Sequence, residues 1–68
     1  MTPTRLRECI ALLRWSQRGL ADAIGVDEAR VRKWARGVGE VPDEVASWLE
    51  RRADAMAADP PPVRQVAA

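Results

Sequence analysis

Glu28, Ala29, Arg32, Lys33 and Arg36 recur at i, i+1, i+4, i+5 and i+8, so on a helix they share one side, opposite Val31, Trp34 and Ala35. Arginine and lysine only donate hydrogen bonds, a carboxylate only accepts them, and alanine presents a methyl group. Long cations with a small residue near the helix start suit the major groove of a duplex. There cations can donate to guanine, glutamate can accept from cytosine, and alanine can meet a thymine methyl. The bland reading of such a run is a solvated helix face. Against it stands the back of the same helix, whose apolar side chains can be buried and so leave the charged side free to touch a partner.

The elements that must position this face are legible on either side of it. Ser16 can cap a first helix, with Trp15 placed to close over Leu20, and Leu20, Ala21 and Ile24 share its inner side. Gly25 ends that helix, because a sharp turn at positive φ is cheapest at glycine. Asp27 is expected to cap the second helix, with Val26 and Val31 as its staple and Glu28 adding negative charge at the amide-rich end. Gly37 stops it. Two short helices hinged at a glycine read as a helix-turn-helix.

This stretch resembles the helix-turn-helix of Cro/C1-type (XRE-like) regulators of bacteria and phages, through Ser16-Gln17, Leu20-Ala21, Gly25-Val26, Val31, Trp34, Gly37 and Pro42. The resemblance spans roughly residues 5 to 58, and the combined spacing is far more specific than a lone glycine or basic cluster. It implies base-reading positions at Glu28, Ala29 and Lys33 with Arg32 beside them, and backbone contacts at Gln17 and Arg36. Arg18 and Arg14 complete the expected set of backbone contacts. It further implies a homodimeric transcriptional repressor, controlling its own operon and reading an inverted repeat in double-stranded DNA. Two departures stand out. Gly19 replaces a good helix former, at a cost of ~0.5–1 kcal/mol, and Asp27 and Glu28 put acids where many relatives carry neutral polar residues. The ending Asp59-Pro60-Pro61-Pro62 is similar to that of small regulators in anti-CRISPR and prophage operons.

Charge divides the chain in the same sense. Residues 5–36 hold eight cations against four acids, whereas residues 37–59 hold two cations, Arg51 and Arg52, against six acids. A polyanion is drawn to the first part and repelled by the second.

Around this centre the sequence predicts an all-α fold, a compact four-helix domain over residues 4–58 with a disordered proline-rich tail over 59–68. The helices are expected at about 4–14, 17–24, 28–36 and 42–58. Thr4 is the expected cap of the first, whose inner stripe is Leu6, Cys9, Ile10 and Leu13. Arg5, Arg7 and Arg14 lie on its other faces, where flanking phosphate is within reach of some and solvent surrounds the rest. Pro42 suits the first turn of the last helix, where its missing amide costs nothing. That helix carries Val45, Trp48, Leu49, Arg52, Ala53 and Met56 on one side and is expected to pack across the helix-turn-helix. Its stripe is wider than a small core needs, so Trp48, Leu49, Arg52 and Met56 are candidates for a dimer interface, with burial of both Trp48 and Leu49 in the monomer as the equal alternative.

With 68 residues, one cysteine and no histidine, the chain is expected to form one small domain without disulfide, metal or cofactor. Its longest apolar run, Cys9 to Leu13, cannot cross a bilayer, and the expected location is the cytoplasm, on the nucleoid when bound. No small-molecule pocket is signalled. No base stands ready for Ser16 or Ser47 and no glycine-rich phosphate loop is present, so catalysis is not expected. The rival class is a protein-binding module, antitoxin-like or adaptor, using Trp48, Leu49 and the proline tail. RNA reading through the basic side would need an exposed aromatic platform, and all three tryptophans have packing roles in this reading.

Overall fold

A computed structural model describes residues 1–62, so residues 63–68 of the expected tail lie outside the described residues. Four helices follow one another: α1 (Pro3–Leu12), α2 (Gln17–Ile24), α3 (Glu28–Ala35) and α4 (Asp43–Ala58). No strand occurs among the described residues, as the all-α expectation requires.

Local chemistry sets each boundary. Thr2, rather than the expected Thr4, caps α1: its hydroxyl accepts from the Arg5 amide at 3.0 Å, and Pro3 takes the first helical position, where no N–H is needed. Ser16 caps α2 as expected, accepting from the Gly19 amide at 2.9 Å. Asp27 precedes α3 but makes no side-chain capping bond. Pro42 sits just before α4 instead of inside its first turn, and its carbonyl accepts from the Ala46 amide at 2.9 Å.

The three N-terminal helices end alike. Arg14, Gly25 and Gly37 all take left-handed backbone angles, with φ of 60°, 74° and 82°. In each case the next residue's amide turns back to a carbonyl five residues earlier: Trp15 to Ile10, Val26 to Ala21 and Val38 to Lys33. Glycine takes this angle without strain at 25 and 37. Arg14 holds it against the clash of its own Cβ, at a cost of roughly 1–2 kcal/mol.

The core joins Leu6, Cys9, Ile10 and Leu13 from the α1 segment, Leu20 and Ala21 from α2, Val31, Trp34 and Ala35 from α3, and Leu49 and Ala53 from α4. Val41, expected in a loop, is buried among them at 7% exposure. α1 is the hub, packed against both α3 and α4, while α2 packs on α3. The expectation that α4 lies across the α2–α3 pair is therefore corrected: its main partner is α1. Trp48 does reach back to Trp15, with ring centroids 5.9 Å apart and a tilt of 31°. Burial keeps the Cys9 thiol above its ordinary value, as befits a core side chain.

An ion pair fixes α4 to α1. The Arg5 guanidinium grips Glu50 through Nε, 3.0 Å from both carboxylate oxygens, and through Nη2 at 2.7 Å. Glu8 and Asp54 stand at 3.5 Å and 3.9 Å from the same group. The bond to Arg5 holds the Glu50 carboxyl below the usual carboxylate range.

Two tests follow from these contacts. Glu50→Gln keeps the shape and removes the charge. Wild type should out-stabilise this variant above the ordinary carboxylate value and lose the advantage as pH falls through the lowered folded value. Thermal melts of the two proteins should therefore converge at the acid end, and a gap that is constant in pH would remove the ion pair from the account. At the glycines, Gly19→Ala should raise stability by ~0.5–1 kcal/mol, since the nearest atoms to the added Cβ are the Ser16 hydroxyl at 3.4 Å and Cβ and Cγ of Trp15 at 3.7 Å and 4.0 Å. Gly25→Ala meets no atom within 4 Å yet must hold φ of 74°, so it should cost about 1–2 kcal/mol. Urea melts that moved both variants in the same direction would contradict this assignment.

Candidate nucleic-acid interface

α3 presents two unlike sides. Val31, Trp34 and Ala35 are buried, with Trp34 at 6% exposure. Ala29, Arg30, Arg32, Lys33 and Arg36 are exposed, and Glu28 is half-exposed. At about 100° per residue the buried three span a little over a quarter of the circumference, and the rest is open. Glu28, Arg32 and Arg36 form one ridge, Ala29 and Lys33 the next. Arg30 lies beyond Lys33 at the edge of the same exposed face.

The helix is held from behind at its far end as well as along its buried side. Arg7, one of the cations on α1, donates from Nη1 to the carbonyl of Ala35, one of the carbonyls left free at the C-terminal end of α3. Its Nη2 lies 3.4 Å from the Thr4 hydroxyl. Pro3 approaches Gly37, where an added Cβ would stand 3.4 Å from Pro3 Cγ. The chain leaving α3 is thus pressed against the first turns of α1.

Arg5 and Arg7 are consequently occupied inside the fold, the one by Glu50 and the other by the end of α3. Arg14 faces a shallow groove between α1 and the end of α4, lined also by Glu8, Leu12, Met56, Ala57, Pro60 and Pro61. Gln17 is half-exposed and Arg18 exposed in the first turn of α2. Among the described residues the exposed cations of α3 form a single ion pair, Arg32 Nη1 to Glu28 Oε2 at 3.1 Å. Arg30, Lys33 and Arg36 have no carboxylate within ion-pair distance there.

The residues expected at a dimer interface separate. Leu49 is fully buried inside the chain and offers no surface to a second copy, which corrects its assignment and also removes it from the rival protein-binding surface. Trp48 is half-buried against Trp15, Arg52 is exposed, and Met56 is half-buried beside the groove.

Sequence reasoning missed two contributors. Arg30 extends the cationic surface of α3, and its signal was present in the helical spacing. Arg7 anchors the helix, and no local pattern announces a bond spanning 28 positions of sequence. Among the described residues no group of three potential metal ligands occurs, and no helix is long and apolar enough to cross a membrane. Compared with known proteins, the chain matches no family model, no curated protein and no solved structure.

The burial of Trp34 gives this arrangement its test. Trp34→Ala should cost about 3–5 kcal/mol, comparable with the whole stability that a core of this size supplies. A cooperative melt near that of wild type would show that the indole does not hold α3 in place.

Proposed function

We propose that α2, the turn at Gly25 and α3 form a helix-turn-helix, and that the protein is a sequence-specific regulator of transcription that binds duplex DNA. One observation carries the reading: a helix pinned along one side by Val31, Trp34 and Ala35 and its C-cap residue Arg36 turn four cations outward, three of them free of ion pairs among the described residues. A helix fits the major groove, and such donors match the acceptor edge of guanine. The polyanionic backbone adds attraction that is independent of sequence. The resemblance of residues 16–42 to Cro/C1-type regulators supports the same conclusion.

In this reading α3 enters the major groove with Ala29, Arg32 and Lys33 toward the bases, while Gln17, Arg18 and Arg36 hold phosphates. One such helix reads only a few base pairs. Two copies about a two-fold axis place their helices in successive grooves roughly 34 Å apart, which calls for an inverted repeat. A regulator of this kind represses where its site overlaps a promoter, its own included.

Selection of binding sites from a pool of random duplexes tests DNA binding, sequence preference and two-fold symmetry together. A palindromic site with half-sites one helical turn apart is the expected product. Arg32→Ala or Lys33→Ala should lower affinity for that site by about 1–3 kcal/mol and relax preference at one position. Arg36→Ala and Gln17→Ala should weaken binding to all sequences alike. A folded protein that retains no duplex at modest ionic strength ends the proposal.

A further inference from the structure

Three exposed cations lie on α3 and a fourth, Arg36, follows at its C-cap, and among the described residues only Arg32 is paired. Its partner Glu28 stands one turn earlier, Oε2 to Nη1 at 3.1 Å, with the two side chains 41% and 55% exposed. A guanidinium carries its donors in a rigid plane. With Nη1 drawn to the carboxylate, the edge formed by Nε and Nη2 stays free, and two donors side by side are what the O6 and N7 atoms of guanine accept. The carboxylate also restricts the rotamers of a long side chain that would otherwise lose that freedom on docking.

Given the DNA-binding reading above, on which this rests, we propose that Glu28 is a positioning residue: it braces Arg32 so that α3 reads one guanine at a fixed place, without itself touching a base. This gives Glu28 a different role from the base reader that its place on the helix face suggests. Lys33 and Arg36 have no such brace, so the sharpest preference in the site belongs to Arg32.

Electrostatics separates this from an ordinary helix-surface pair. Phosphates repel a carboxylate, so by charge alone loss of Glu28 strengthens binding to every duplex equally. Loss of a brace instead lowers the preference at the single position that Arg32 meets. The two effects have opposite signs on the selected duplex and are measured separately.

Wild type, Glu28→Ala, Glu28→Gln, Arg32→Ala and the Glu28→Ala/Arg32→Ala double variant are titrated against the duplex that wild type selects from a random pool. The same proteins are titrated against versions with one base pair exchanged and against an unrelated duplex, with helix content checked by circular dichroism. Glu28→Ala is expected to bind the unrelated duplex more tightly and yet lose about tenfold of the guanine preference at the position where Arg32→Ala loses it. Glu28→Gln, which keeps an acceptor, retains part of that preference, and its outcome stands alone if the alanine variant does not fold. In the Arg32→Ala background Glu28→Ala removes nothing further. Guanine preference unchanged in Glu28→Ala, or lost equally in both backgrounds, overturns the brace. A loss at a different, cytosine-bearing position overturns it too and makes Glu28 a direct reader. If wild type retains no duplex, the DNA reading falls and takes this inference with it. The wild-type titration therefore tells the two failures apart.

Discussion

An eight-residue helix does not hold itself together in water, because the cost of nucleating the first turn is recovered only over a dozen or more residues. α3 is that short, and the single ion pair on its exposed side among the described residues, Glu28 with Arg32, is too weak to offset that cost. Its existence depends on the burial of Val31, Trp34 and Ala35 against the rest of the chain. The other features of the molecule follow from that constraint. α1 must lie behind α3 to receive those side chains, α2 must close over the flank, and α4 must complete the same core by packing against α1.

The same constraint divides the charges. A cation that helps to build the core loses its freedom to bind anything else. Arg5 ties α1 to α4 through Glu50, and Arg7 closes the end of α3, so both are part of the framework. The cations of α3 are held away from the acids of the C-terminal half. Folding thus converts a crude excess of positive charge in residues 5–36 into a smaller and sharper one, placed on the one helix whose other side is already fixed.

Much of this was legible in the chain. The bounds of α2, the left-handed turn at Gly25, the stop at Gly37 and the inner stripe of α1 rest on interactions within a few residues, where the chemistry of a cap or the period of a helix is sufficient. The sequence is ambiguous where two local choices are close in energy. Thr2 and Thr4 are both acceptable caps, and Pro3 decides between them because it suits the first helical position and no later one. Asp27 has the right side chain for a cap but forms no such bond.

The sequence by itself determined which residues form helices, which side of α3 is apolar and which carries the donors, since helical periodicity and capping are short-range properties. Only the tertiary structure decided that α4 packs along α1, that Val41 and Leu49 fill the core, that Arg5 and Arg7 are bound while Lys33 and Arg36 are free, and that Arg14 takes a left-handed angle. The physical reason is range. Those outcomes depend on which faces meet across dozens of residues, and a charged or apolar side chain carries no local mark of the partner it will find.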